Sequence, residues 1–263
     1  MSPDPSRLLH EETNKIRAAL SIEPWLLADS VCALADDEAE HQQASALVHD
    51  AYVERGLIAP SPRRLHLGVA GARPDLGVLV LSRRGAVVGT VALITERDGR
   101  LPADDLFPAQ MLALRRRGRS FIEVGMLAVD GAARKTGAAL VLSIAALRLT
   151  RQIGATDVVV AIHPAAEAYY RAAMMFERHG DVRAYPGLSA KAATILMHHD
   201  VNRFARRALA DFGAAPSLAN PYHLHFVVPL PLGDFSPAAR ARSAAARAAW
   251  LASCAHLARD AIA

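Results

Sequence analysis

The stretch Val129-Asp-Gly-Ala-Ala-Arg134-Lys135-Thr-Gly137-Ala-Ala139 joins two apolar segments of different periodicity. Residues 121–129 before it predict a strand, and residues 137–152 after it predict an apolar helix. Small residues in such a turn leave backbone N–H groups unpaired at a helix N-terminus, where these groups and the helix dipole favour a phosphate. Arg134 and Lys135 add positive charge there. The pattern alone also fits an ordinary strand-to-helix turn with two surface cations.

The segments on either side of this unit extend it into a sheet. Residues 157–162, Asp-Val-Val-Val-Ala-Ile, are apolar on both faces and predict a second strand. A strand, helix and strand in this order imply parallel pairing with a right-handed crossover. Upstream, residues 77–82 and 86–94 predict a hairpin around Arg83-Arg84-Gly85.

The remaining elements follow from periodicity and from capping residues. We expect helices at 4–20, 37–55, 108–117 and 165–178, strands at 31–36, 181–185, 192–200 and 223–228, a loop at 98–107, and a helix capped by Ser236. We divide the chain into an N-terminal helical segment (1–29), a central domain (30–202) and a C-terminal extension (203–263).

Composition excludes several classes of protein. The chain has 263 residues, 52% of them apolar, which suffices for a full core. Its formal charge of +4 favours acidic partners, but charge runs and stacking aromatics typical of nucleic-acid binding are missing. No apolar stretch is long enough for a membrane span, and no secretory leader is recognisable. We expect a cytoplasmic protein without nucleic-acid partners. Its 11 histidines complete no recognisable metal set, so we expect no metal.

The turn between strand and helix carries a family resemblance. Arg134-x-x-Gly137-x-Ala139 after a Val-Asp strand end resembles the acyl-donor loop of the GNAT superfamily, which holds the phosphates of a pantetheine arm. The order of predicted elements over residues 30–200 also fits that superfamily. The resemblance implies an α+β fold with an α/β-type mixed sheet, the GNAT acyltransferase fold, here followed by a partly helical C-terminal extension.

A narrower resemblance rests on six motifs in order. They are Tyr52-x-Glu-x-Gly-x-Ile-x-Pro60, Leu101-Pro-Ala-Asp-Asp-Leu-Phe-Pro108, Leu114-Arg-x-x-Gly-Arg119, Glu123-Val-Gly-x-Leu-Ala-Val129, His163-Pro with Tyr170 and Phe176, and Tyr185-Pro-Gly-Leu188. Together they resemble long-chain N-acyl amino acid synthases of the FeeM type, relatives of the acyl-homoserine-lactone synthases. The resemblance implies transfer of a long acyl chain from acyl carrier protein to the amine of an amino acid. It implies an acyl-phosphopantetheine donor, on carrier protein or on CoA, and no permanently bound cofactor.

Glu123 is the candidate general base. It lies in an otherwise apolar strand, where partial desolvation raises the pKa of a carboxylate and suits it to deprotonate an ammonium group. The alternative is a solvated residue at a strand start. In the resembled family this Glu belongs to a Glu-x-x-Arg pattern, whose Arg would pair with the Glu or with a substrate carboxylate. Here that position is Met126.

Tyr170 is the candidate general acid. The resemblance implies that a Tyr at this place protonates the leaving thiolate, which a phenol can do because its pKa lies above that of a thiol. Tyr169 is a rival for this role, and simple aromatic packing is the alternative. For the oxyanion, the resemblance implies a backbone donor at a strand bulge, which we place at Leu127 to Val129, with Gly125 helping the strands to splay.

A cluster of arginines precedes the catalytic strand. Arg115, Arg116, Arg117 and Arg119 are candidates for docking an acidic carrier protein, with a solvated helix face as the alternative. Two other functions stay open. One is an acyl-CoA-dependent GNAT N-acetyltransferase, since the phosphate loop is intact. The other is a non-catalytic module that binds an acyl carrier, which Met126 would favour.

Overall fold

The computed structural model describes residues 5–66, 73, 76–115, 118–185, 188–189 and 192–260. Its strands are β1 (Ser30–Leu34), β2 (Gly77–Arg83), β3 (Ala86–Thr95), β4 (Phe121–Val129), β5 (Asp157–Ile162), β6 (Glu177–Ala184) and β7 (Ala193–Asp200). Its helices are α1 (Pro5–Ala18), α2 (Pro24–Ala28), α3 (Glu38–Glu54), α4 (Pro102–Leu106), α5 (Pro108–Arg115), α6 (Ala138–Gln152), α7 (Glu167–Met174), α8 (Val201–Phe212), α9 (Pro221–Phe226) and α10 (Pro237–Asp260).

The strands form one mixed sheet in the order β1-β2-β3-β4-β5-β7-β6. Neighbours are antiparallel except β4 and β5, which are parallel and joined through α6. The hairpin β2–β3 and the crossover from β4 to β5 were both predicted from periodicity and are confirmed, as is the mixed α/β fold class. The crossover matters for function because it places the turn 130–137 at the C-terminal end of β4.

Alternating side chains divide the sheet into two faces. Ile122 and Val124 of β4 face α6, whose apolar side chains fill the larger core. Phe121 points to the other face and packs with residues of α3, α4 and α5. Because strand residues alternate, Glu123 shares the face of Phe121. The carboxylate is therefore on the side of the sheet covered by α3 and α4.

Both terminal segments pack on the central domain. Helix α1 lies against α7, and the Nε of Arg17 donates to the carbonyl of Ala172 at 3.2 Å. Helix α10 lies against α3 and β2, where Trp250 Nε1 donates to Gln42 Oε1 at 3.1 Å. Helix α10 thus lies beside α3 over strands β1 and β2.

The predicted strand at 223–228 is wrong. This segment is mostly helix α9, which begins at Pro221 after Asn220, whose side chain accepts from the N–H of Tyr222 at 2.9 Å. An Asn cap followed by Pro starts a helix. The pattern His223-Leu-His-Phe therefore does not mark the two faces of a strand. Its buried residues Leu224 and His225 are adjacent in the helix, and His225 contacts the carbonyl of Ala173 at 2.9 Å.

Two other boundaries also differ. The predicted loop at 98–107 contains the short helix α4. The predicted helix at 165–178 ends at Met174, because Met175 adopts a left-handed φ of 52° and closes the helix. Strand β6 consequently begins at Glu177, four residues before the predicted start. In the predicted turn 185–188, Pro186 and Gly187 lie outside the described residues.

The predicted cap of α10 is present. Ser236 Oγ accepts a hydrogen bond from the N–H of Ala239 at 3.2 Å. We expect Ser236→Ala to lower the free energy of unfolding by about 1 kcal/mol, because this N–H loses its partner. Urea unfolding measures the change. Ser236→Asn, whose side chain can accept the same hydrogen bond, is the control, and equal midpoints for both variants would contradict the cap.

Candidate active site

A cleft opens where β4 and β5 separate. Their pairing joins Phe121 to Asp157, Ile122 to Val158 and Glu123 to Val159, and stops there. Both strands continue, β4 to Val129 and β5 to Ile162. Strand β5 stays paired with β7 along its whole length, so the divergence lies between β4 and β5. The residues of β4 beyond Glu123 are therefore not paired with β5, and this divergence defines the cleft.

A bulge in β4 lies on the edge of this cleft. Thr90 of β3 is paired with Ala128, but Ala92 is paired with Gly125, so β4 carries one extra residue. Met126 adopts a left-handed φ of 52° at this point. A bulge turns backbone groups away from the ladder. Sequence reasoning placed this distortion at 127–129, and the structure centres it at Met126.

Glu123 is buried at the base of the cleft, with 4% of its surface exposed. Its Oε2 accepts a hydrogen bond from the N–H of Ala103 at 2.7 Å. Burial raises the pKa of Glu123 to about 7, with the charges of Asp104 and Asp105 acting in the same direction and the Ala103 N–H opposing them. The alternative of a solvated carboxylate therefore does not apply. At neutral pH Glu123 can exchange a proton in either direction.

Tyr170 lies on the other side of the cleft, in the core formed with α6. Burial raises its pKa to about 12, the nearby Tyr52 of α3 adds to this, and Arg55 opposes it. The hydroxyl therefore keeps its proton at any physiological pH. Tyr169 instead lies next to Ser143 of α6.

Two further tyrosines, Tyr52 and Tyr185, lie near Glu123 or Tyr170. Burial raises the pKa of Tyr185 to about 12, with Glu123 and Tyr52 acting in the same direction. Tyr185 is thus close enough to Glu123 and to Tyr52 for their charges to interact, and Tyr52 is likewise close to Tyr170. Sequence reasoning gave no role to Tyr52 or Tyr185, although each begins one of the six motifs.

The turn after β4 leads into α6, whose N-terminus has no side-chain cap. Gly137 is the N-cap of α6, with a left-handed φ of 99° and no side-chain cap. The N–H groups of the first helical turn, Ala139 included, have no intrahelical acceptor. Lys135 also has a positive φ, of 63°, and is exposed. These donors and this charge fit the predicted phosphate site.

Arg134 has a partner within the chain. Its Nη1 lies 2.6 Å from Glu54 Oε1 at the end of α3, and its side chain is 44% exposed. The pair links the turn to α3 next to the cleft. An exposed ion pair of this kind is weak and can exchange for a phosphate.

The predicted carrier dock is only partly described. Arg115 pairs with Glu96 and with Asp104, and Arg119 pairs with Asp157 and Asp200. Arg116 and Arg117 lie outside the described residues. The dock stays a prediction, and the two described guanidinium groups already bind carboxylates of this chain.

Two negative findings concern the described residues. None of their groups of histidine, cysteine and carboxylate side chains is arranged to hold a metal ion. Within the same part of the chain, no helix is both long and apolar enough to cross a membrane.

Comparison with known proteins identifies a family for most of the central part of the chain. The family model of the N-acyl amino acid synthase FeeM matches residues 43–200, more than half of the chain. Among curated protein sequences, none matches.

Solved structures share the fold. FeeM, an N-acyl amino acid synthase from uncultured soil microbes, matches with a TM-score of 0.60 and 20% identity over 70% of this chain and 97% of that chain. The acyl-homoserine lactone synthase LasI matches with a TM-score of 0.52 and 16% identity over 71% and 96% of the two chains. BjaI, a CoA-dependent acyl-homoserine lactone synthase, matches with a TM-score of 0.51 and 18% identity over 82% and 98%. The chain is an acyltransferase, and it belongs to the N-acyl amino acid synthase FeeM family.

Proposed function

We propose that this protein transfers a long-chain acyl group from acyl carrier protein to the amine of an amino acid and so makes an N-acyl amino acid. The observation that supports this best is Glu123, a buried carboxylate with a pKa raised to about 7 at the base of the cleft between β4 and β5. Such a carboxylate accepts a proton from an incoming ammonium group at neutral pH. The family membership supports the amino acid as acceptor.

The donor enters the cleft as a thioester of phosphopantetheine. Its phosphate binds the N–H groups of the turn from Lys135 to Ala139, assisted by Arg134 and by the dipole of α6. The pantetheine arm then runs along the unpaired edge of β4. Its thioester carbonyl lies at the bulge, where a backbone N–H at Leu127 or Val129 stabilises the oxyanion.

The acceptor nitrogen loses two protons in the reaction. Glu123 takes one from the acceptor ammonium, directly or through water, and the free amine attacks the thioester carbonyl. The tetrahedral intermediate collapses as the C–S bond breaks and the amide forms. Tyr170 gives its proton to the leaving thiolate, and the second proton lost by the nitrogen restores the Tyr170 hydroxyl through solvent. Glu123 releases the proton that it took to solvent. The products are an amide and the free thiol.

The identity of the carrier is tested by the choice of donor. Acyl-CoA is the second candidate, because the first turn of α6 offers enough N–H groups for a pyrophosphate. We would incubate the protein with acyl carrier protein and CoA thioesters of several chain lengths, a pool of amino acids and amines, and detect products by mass spectrometry. N-acyl amino acids formed from carrier-bound long chains support the proposal. Products formed only from CoA thioesters would replace the carrier protein by CoA, and no product from either donor would contradict the proposed function.

Tyr170→Phe tests the general acid. We expect kcat to fall about 100-fold with an alkyl thioester donor, because the thiolate must leave without a proton. The loss shrinks with an aryl thioester, whose thiolate is a better leaving group. Tyr169→Phe is the matched control, since that hydroxyl lies next to Ser143. An equal loss with both thioesters would exclude this role for Tyr170.

A further inference from the structure

A small pocket lies between the C-terminal helix and the sheet. It is lined on α3 by His41 and Ser45, on the sheet by Thr90 and Met126, and on α10 by Arg247 and Trp250. Its volume of about 30 Å³ is about two to three times the 10–15 Å³ that one water molecule needs. A group of a few atoms fits, whereas a long acyl chain does not.

Two polar side chains at this pocket are buried. Arg247 is 3% exposed, and its Nε donates to the carbonyl of Arg73 at 2.9 Å. Its guanidinium also lies 5.4 Å from the centre of the Trp250 ring. These two contacts position the guanidinium at the pocket, and a planar guanidinium binds carboxylates in a bidentate manner.

The buried side chain of His41 lacks a hydrogen-bond partner within the protein. It is 1% exposed, its ring stacks on Trp250 at 5.8 Å, and neither ring nitrogen makes a hydrogen bond in the structure. Burial lowers the pKa of His41 to about 4, and the charge of Arg247 acts in the same direction. The backbone carbonyl of Ser243, which lies near the ring without the geometry of a hydrogen bond, opposes both. The ring is therefore neutral and offers one N–H donor. Buried polar groups of native proteins have partners, so an acceptor belongs here.

Met126 connects this pocket with the reaction centre. It lines the pocket, and it is also the extra residue of the β4 bulge at the cleft. In an α-amino acid only one carbon separates the amine from the carboxylate. A carboxylate bound beside Met126 on the pocket side therefore places the amine of the same amino acid close to the thioester carbonyl.

We propose that the pocket binds the carboxylate of the acceptor amino acid, with Arg247 and the N–H of His41 as its donors. This inference rests on the acyl transfer proposed above and names the group that selects the acceptor. Arg247 takes the place that an arginine at position 126 would otherwise fill, and it comes from a helix outside the family match at 43–200.

The test compares acceptors with and without the carboxylate. Phenylalanine, tyrosine and leucine are each paired with the decarboxylated amine: phenethylamine, tyramine and isopentylamine. Wild-type protein is compared with Arg247→Met, which keeps the length of the side chain, and with His41→Phe, which keeps the stacking. Arg242→Met, an exposed position of the same helix, is the matched control. Melting temperatures show whether each variant folds.

We expect wild-type protein to use the amino acids with a KM at least 10-fold lower than the amines. Arg247→Met abolishes this difference by raising KM for the amino acids alone, and Arg247→Lys restores part of it. His41→Phe has the same effect to a smaller extent. Equal use of both acceptor classes by wild-type protein, or an equal loss for both in Arg247→Met, would overturn the proposal.

Calorimetry separates this inference from the function on which it rests. Titration of wild-type protein and of Arg247→Met with the three amino acids needs no donor and no turnover. Binding that Arg247→Met removes supports the pocket even where no amide forms, and then only the acyl transfer fails. Binding unchanged by Arg247→Met, or no binding to wild-type protein, overturns the pocket whether or not the protein acylates amines.

Discussion

Glu123→Gln is expected to lower kcat/KM for amide formation by about 10²- to 10⁴-fold, the range of a lost general base. The side chain is buried and bonded to the N–H of Ala103 at 2.7 Å. A Gln can keep this hydrogen bond through its carbonyl oxygen, so the fold is preserved while the basic group is lost. Steady-state rates with a carrier-bound donor measure the change.

The pH dependence gives the sign of the effect. A base acts only when deprotonated, so with the pKa of Glu123 raised to about 7, kcat/KM of the wild-type protein rises as pH increases through 7. Glu123→Gln removes this limb and leaves only the rise that the acceptor amine causes at higher pH. A rise of kcat/KM near pH 7 that persists in Glu123→Gln would show that another group is the base.

As pH rises through 7, the free energy of unfolding falls while the activity increases. The pKa of Glu123 rises on folding from its ordinary value of 4.5 to about 7, so the folded protein binds more protons than the unfolded one between these values. Its stability therefore falls as pH rises across this window. Above pH 7 Glu123→Gln avoids this cost, which is about 3 kcal/mol at most. Unfolding at pH 5 and pH 8 measures it, and a variant that is less active and also less stable at pH 8 has lost structure instead.

Gly137→Ala is expected to lower the free energy of unfolding by about 2–4 kcal/mol. Gly137 has a φ of 99°, which costs an L-residue about 1–2 kcal/mol. A Cβ there would also collide with the carbonyl of Ser21 and lie 2.9 Å from the Cα of Ile22. Both are backbone atoms, so the segment joining α1 to α2 must move, and overpacking of this kind costs about 1–3 kcal/mol.

The same substitution should weaken donor binding. The N–H of Glu23 donates to the carbonyl of Thr136 at 2.8 Å, so the N-terminal segment helps to hold the phosphate turn in shape. We expect a higher KM for the donor together with the lower unfolding midpoint. Gly131→Ala is the matched control in the same turn, because its Cβ would meet no atom within 4 Å. Equal midpoints for the two variants would contradict this role of Gly137.

The part of the fold around the cleft could be predicted from the sequence because its signals are local. The change from a strand at 121–129 to a helix at 137–152 defines the crossover, and Glu123 is conspicuous in an apolar strand. The segment at 223–228 was misjudged because alternation over a few residues fits strand and helix alike. Only the Asn-Pro cap at 220–221 separates them.

The rest of the site could not be predicted because it depends on distant parts of the chain. Tyr52 and Tyr185 belong to recognisable motifs, but their nearness to Glu123 and Tyr170 exists only in the folded sheet. His41 and Arg247 have no local signal at all, since one lies in a polar helix and the other in an Ala/Arg-rich one. The packing of α10 against α3 brings them together.

The most direct test of this account is a crystal structure with a stable donor analogue, in which a methylene group replaces the thioester sulfur of acyl-pantetheine phosphate. We predict that the ketone oxygen lies within hydrogen-bond distance of a backbone N–H between Met126 and Val129, that the phosphate contacts the first turn of α6, and that the methylene faces Tyr170. An analogue bound elsewhere, with the space between β4 and β5 filled by side chains, would contradict the account.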